Sequence, residues 1–154
     1  MKLSEYADPG LVVTHIEQGE VTDILAQLVA PLVPAGLAAT ADQVVSSLTA
    51  REAVLSTGIG AGIAVPHAIC AGLAGPCLII GISPSGVEFQ AIDGQPVNVF
   101  FVLLSPPDHA GHHIRMLARI ARLARHPEFV DALRTSSDPQ VVVSHIERYE
   151  AEHI

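Results

Sequence analysis

Val97-Asn98-Val99-Phe100-Phe101-Val102-Leu103-Leu104 is apolar at every position but one. A strand with one wet face alternates apolar and polar residues. This run does not, so it reads as a strand buried on both sides, and such a strand needs helices above and below its sheet. Ser105-Pro106-Pro107-Asp108 ends it.

Outward from this strand, the remaining elements supply that cover. Apolar residues recur at Val21, Ile24, Leu25, Leu28, Val29 and Leu32, a helical spacing over Val21–Val33 whose last turn Pro31 disturbs. Thr40 with Gln43 reads as a capping box for a second helix, with Val44, Val45 and Leu48 on its apolar side and Gly58 as its stop. Arg51 leaves that helix near the margin of the buried side, where its stem stays covered while the guanidinium turns toward a cleft. Leu11–Val13, Ile63–Val65 and Cys77–Ile82 read as short strands, and Val87–Phe89 as a brief edge piece. A further helix spans about His112 to Arg125, and Asp138 caps a last one that has Pro139 at its first position. Helices and short strands alternate, which predicts an α/β fold: a single compact domain over residues 1–154, with a mixed β-sheet flanked by helices on both faces.

Bulk composition narrows the function. Hydrophobic residues make up 49% of the chain and mean hydropathy is +0.43, so a real core forms. The formal net charge of −8, with no tryptophan, argues against nucleic acid as a partner. Cys70 and Cys77 have neither CxxC nor zinc spacing and read as buried free thiols in a reducing cytoplasm. The N-terminal residues show no signal-peptide apolar region. The longest apolar stretch is far short of the ~20 residues of a membrane span, so no direct membrane insertion is expected.

Chemistry concentrates in Arg51-Glu52 and Ser56-Thr57-Gly58-Ile59-Gly60-Ala61-Gly62-Ile63-Ala64-Val65-Pro66-His67. The glycines do not match a dinucleotide fingerprint, which needs a strand before and a helix after, and no P-loop lysine follows. They suit a tight path in which backbone approaches backbone or a ligand, or a plain turn. Pro66 gives His67 a defined approach to a cleft, where an imidazole acts as nucleophile, base or metal ligand. Arg51 is the nearest cation for phosphoryl oxygens. Ser56 and Thr57 offer hydroxyl donors or a helix C-terminal role. The histidines at 67, 109, 112 and 113 lack an H-E-x-x-H pattern and an ordered carboxylate set, so neither a metal nor another cofactor is expected.

On the helix after the central strand, His113, Met116, Leu117, Ile120 and Ala124 share one side. Arg115, Arg119 and Arg122 take the other, with His112 near Arg119 and expected to face solvent. His113 points toward the body of the protein, either as a core-edge histidine or beside an anion site at the helix start. With Arg125, the arginines form a solvated face or a steering patch for an acidic or phosphorylated partner.

The run from Arg51-Glu52 to Pro66-His67 resembles the active-site signature of the fructose/mannitol-type IIA domains of the bacterial phosphoenolpyruvate-dependent phosphotransferase system, a group that includes nitrogen-regulatory IIA proteins. The resemblance continues through Gly86–Phe89, Asp93–Val97, Phe101–Pro106 and His113–Ala121. It implies a compact α/β sandwich in which His67 is phosphorylated on Nε2 by an HPr-type phosphocarrier protein. Arg51 and His113 match the active-site arginine and second histidine. The implied role is a phosphotransferase component that passes its phosphoryl group to a IIB cysteine of a sugar permease system. Two alternatives stand beside it: a nitrogen-type regulator whose phosphorylation state controls a target protein, and a binding module that is never phosphorylated.

Overall fold

The computed structural model describes residues 2–153, so both ends of the expected 1–154 domain lie outside the described residues. In chain order the strands are β1 (Val12–Val13), β2 (Gly58–Gly60), β3 (Ile63–Ala64), β4 (His67–Ile69), β5 (Cys77–Val87) and β6 (Val97–Ser105). The helices are α1 (Val21–Val29), α2 (Asp42–Val54), α3 (Ala110–Ala124), α4 (Pro127–Arg134) and α5 (Pro139–His153). The strands make one mixed sheet in the order β1-β5-β6-β3-β2, with β4 also paired to β6. β5 and β6 are antiparallel, whereas β3 and β4 both run parallel along the other edge of β6.

The expectation for β6 holds on both faces. Phe100, Val102 and Leu104 pack into a core with Ile24, Leu25 and Leu28 of α1 and Val44 and Leu48 of α2. Val99, Phe101 and Leu103 pack into a second core with Met116 and Ile120 of α3, Phe129 of α4 and Ile146 of α5. Phe100 and Phe101 are wholly buried, and removing a side chain of that size from water contributes roughly 1.5–3 kcal/mol.

Where the fold differs from these expectations, the causes are local. α1 stops at Val29 and gives way to turns around Pro31, which has no N–H for a further helical bond. The expected Thr40–Gln43 box does not form. α2 starts at Asp42, and Thr40 Oγ1 instead accepts from the Asp42 N–H at 3.1 Å. A reciprocal box caps α1, between Glu20 and Asp23. β5 continues past Ile82 to Val87, with an irregular register between those two residues. α4 has no counterpart among the expected elements; it buries Phe129, Val130 and Leu133.

The N-terminal turn is tied down by a buried carboxylate. Glu150 of α5, 4% exposed, accepts from the Leu3 and Ser4 N–H groups at 2.5 and 3.0 Å and from Ser4 Oγ at 2.8 Å. Arg119 Nη1 lies 3.5 Å from the same carboxylate, so this arginine is half-buried in an ion pair and leaves the expected exposed patch to Arg115, Arg122 and Arg125.

Gly81 of β5 gives a test of how tightly the α1 core is filled. A Cβ there would overlap Leu28 Cδ2 and come within 3.3 Å of Phe100 Cβ and 3.5 Å of Ile16 Cγ1. Gly81→Ala is expected to lower the unfolding free energy by about 1–3 kcal/mol, read from the urea midpoint with an unchanged slope.

Candidate functional site

β3 and β4 are two pieces of one path along the β6 edge, separated by Val65-Pro66. Pro66 has no N–H to donate, but its carbonyl still accepts from the Leu103 N–H at 3.0 Å. The Val65 N–H turns away to Thr57 O at 3.0 Å, while His67 opens β4 opposite Leu103. The glycines serve this path. Ala61 and Gly62 have positive φ at the turn between β2 and β3, and a Cβ on Gly58 would lie 2.8 Å from the Ala91 backbone. Backbone approaches backbone here.

The ring of His67 is half-buried, and its Nδ1 sits 2.7 Å from Val65 O. A carbonyl oxygen only accepts, so Nδ1 carries a proton, and in the neutral ring Nε2 is the nitrogen that holds the lone pair. His113, 5% exposed, lies beside it with ring centroids 5.8 Å apart and ring planes inclined at 49°. Burial, then the neighbouring His67 and His112 rings, push the pKa of His113 down to about 4, so it is neutral at pH 7. Its Nδ1 is 2.8 Å from Ser105 Oγ. Arg51, in the last turn of α2, donates from Nη1 to Leu55 O at 2.7 Å, and the rest of its fork is left for the cleft.

Arg51, His67 and His113 therefore line one open cleft of about 500 Å³, together with Ser47, Ile69 and Leu117. Ser47 is absent from the sequence-derived candidates; its signal is the i, i+4 spacing that puts it on the Arg51 side of α2. Ser56 and Thr57 do not line this cleft. The Thr57 N–H and hydroxyl both donate to the Glu52 carboxylate, and Ser56 Oγ accepts from the Gly58 N–H at 3.0 Å and donates to Phe89 O at 3.4 Å. Both hydroxyls thus close the segment after α2. Ser56 borders a second cleft of about 520 Å³ with Glu20, Glu52 and Glu88, whose carboxylates disfavour an anionic ligand.

His112 departs from its expected solvent-facing position. Its Nε2 is 2.9 Å from Tyr6 Oη, because the N-terminal turn covers that side of α3. α3 also starts at Ala110, so His113 sits deeper in the helix than expected. Among the described residues, His126, Glu128 and His153 are the one group with potential metal-ligand atoms within 4.8 Å of one another, and none of them lines the cleft. The two imidazoles there stack with centroids 4.1 Å apart.

The cleft combines a nitrogen lone pair, a neutral imidazole and a guanidinium with no carboxylate on its lining. That set suits an electrophile carrying negative oxygens. Among the described residues no helix is long and apolar enough to cross a membrane.

Comparison with known proteins gives the family. The family model described as "Phosphoenolpyruvate-dependent sugar phosphotransferase system, EIIA 2" matches residues 5–149. The chain is 33% identical over 139 residues to a nitrogen regulatory protein of Pseudomonas aeruginosa, covering 88% of each. It is 27% identical over 150 residues to the PTS system fructose-specific EIIABC component of Bacillus subtilis, spanning 97% of this chain and 24% of that longer protein. The crystal structure of the nitrogen regulatory protein IIA-Ntr from Neisseria meningitidis superposes with a TM-score of 0.83 at 28% identity, over 94% of this chain and 98% of the other.

The depressed pKa of His113 has a consequence for stability. Unfolded, the ring titrates near its ordinary value of 6.5; folded, near 4. Between those values the unfolded chain binds a proton that the folded chain refuses. Stability from this site is therefore complete above about pH 6.5 and is lost as pH falls toward about 4. Urea unfolding of the wild type and His113→Gln across this range should show their free-energy difference moving against the wild type as pH drops; a constant difference would refute the assignment.

Proposed function

Because the chain belongs to the EIIA 2 family of the phosphoenolpyruvate-dependent sugar phosphotransferase system, we propose that His67 accepts a phosphoryl group from an HPr-type phosphohistidine protein and passes it to a IIB cysteine of a sugar permease system. The observation that carries this reading is the Nδ1–H of His67 held by Val65 O, which leaves Nε2 as the nucleophile in a cleft shared with Arg51 and His113. In the forward step, the His67 Nε2 lone pair forms an N–P bond as the N–P bond on the carrier breaks, and the carrier imidazole leaves with its electron pair. The ring of His67 gains positive charge, which the Val65 carbonyl stabilises through the retained Nδ1–H. Arg51 and His113 face the three equatorial oxygens. Arg115, Arg122 and Arg125 steer the acidic or phosphorylated partner. The setting is cytoplasmic.

A second reading has its own support. The Pseudomonas aeruginosa nitrogen regulatory protein is matched over 88% of its length, whereas the Bacillus subtilis fructose component extends far beyond the match. On that reading the phosphorylation state of His67 controls a target protein rather than feeding a permease.

Mixing the protein with phosphoenolpyruvate, enzyme I and HPr should give a single acid-labile phosphate adduct by intact mass. His67→Ala should abolish it, and Arg51→Gln should slow its formation by roughly 10²–10³-fold. No adduct with active carriers would favour a binding module that is never phosphorylated. Onward transfer to a IIB cysteine separates the permease role from the regulatory one.

A further inference from the structure

Ser105, the last residue of β6, is wholly buried, and its side chain has a single hydrogen-bond partner among the described residues: His113 Nδ1 at 2.8 Å. Two proton arrangements satisfy that distance, and they are not equivalent. If Nδ1 held the ring proton, it would donate to Ser105 Oγ and leave the hydroxyl hydrogen of this unexposed serine without an acceptor among the described residues. If the serine hydroxyl donates to Nδ1, every buried donor is used, and only a spare oxygen lone pair stays unfilled. An unsatisfied buried donor is the costlier outcome.

We infer that Ser105 is a positioning residue: by donating its hydroxyl to His113 Nδ1 it fixes His113 as the Nε2–H tautomer, a neutral hydrogen-bond donor aimed at a phosphoryl oxygen on His67. The inference rests on the phosphoryl-acceptor reading for its function, but not for its geometry. With Nδ1 turned inward to Ser105, the Nε2 edge of His113 is left for the cleft that the ring lines with His67. The two histidines then hold complementary tautomers, one bare at Nε2 to attack phosphorus and the other protonated at Nε2 to receive oxygen. The opposite tautomer of His113 would present a lone pair to the phosphoryl oxygens and repel them. Before a phosphoryl group arrives, burial and the neighbouring rings hold His113 neutral at pH 7, so the tautomer decides which nitrogen carries the proton. The sheet holds the Ser105 backbone in place, because the residue pairs in register with Ile69 and its carbonyl accepts from the Cys70 N–H at 2.9 Å. The break between β3 and β4 and the end of β6 thus set both rings, His67 through Val65 O and His113 through Ser105 Oγ.

The test is a long-range ¹H–¹⁵N correlation spectrum of the histidine rings in the full chain at pH 7.5, with the rate of phosphoryl acceptance from phosphorylated HPr measured alongside. Wild-type His113 should show a bare Nδ1 and a protonated Nε2, and His67 the reverse. Ser105→Ala should shift His113 toward a mixture of tautomers and slow acceptance about tenfold or more while His67 keeps its Nδ1–H. A wild-type His113 protonated at Nδ1 overturns the proposal from the spectrum alone, whether or not the variant folds. A Ser105→Ala chain that keeps both the Nε2–H tautomer and the wild-type rate overturns it as well. Wild-type protein with the stated tautomers that takes no phosphoryl group overturns the acceptor reading, and with it the role given to the tautomer, rather than the hydrogen bond.

Discussion

Because β6 is buried on both faces, the helices and its three neighbouring strands are placed by the need to cover or pair it. α1 and α2 close one side, α3, α4 and α5 close the other, and β5 takes one edge. The remaining edge is divided between β3 and β4. Both pieces are registered against the same buried strand, so the break at Val65-Pro66 has a fixed place, and His67 is pinned opposite Leu103. The end of β6 then delivers Ser105 beneath His113. Core packing and site geometry are two results of one constraint.

Much of this is legible in the sequence because the signals are local and long. β6 shows itself through an unbroken apolar run, and α3 through a wheel that puts Met116 and Ile120 inward and Arg115 and Arg122 outward. α4 escapes because eight residues carry too few apolar repeats to outweigh the His126-Pro127 break before them, although Pro127 in the first position followed by Glu128 is itself a helix start. His112 is misplaced for a different reason. A helical wheel holds no information on a segment from the other end of the chain, and Tyr6 is what covers that ring. Ser56 and Thr57 carry hydroxyls suited to phosphate, but Glu52 and the Phe89 carbonyl reach them first. Ser105 gives no sequence signal at all, since its pairing with His113 depends on where α3 packs.

The electrostatic character of the cleft contrasts with that of the molecule. A chain with a formal net charge of −8 presents a site whose lining carries one guanidinium, two imidazoles and no carboxylate. Two buried or half-buried carboxylates are engaged elsewhere: Glu52 on the Thr57 turn, Glu150 on the N-terminal turn. Holding His113 neutral also avoids setting two cationic rings side by side, which would depress the basicity of the nucleophile. The one fixed charge on the cleft lining is the Arg51 guanidinium.

The break between β3 and β4 has a kinetic meaning. Arg51, His67 and His113 lie on α2, β4 and α3, and none is brought to the others by a local turn. Closing such distant contacts is slow and comes only after loop entropy has been overcome. A chain with its helices formed but β4 not yet docked on β6 would hold all three residues and still have no site. The cleft therefore exists only in the assembled fold: α2, α3 and the β4 edge must all be seated before the three side chains meet.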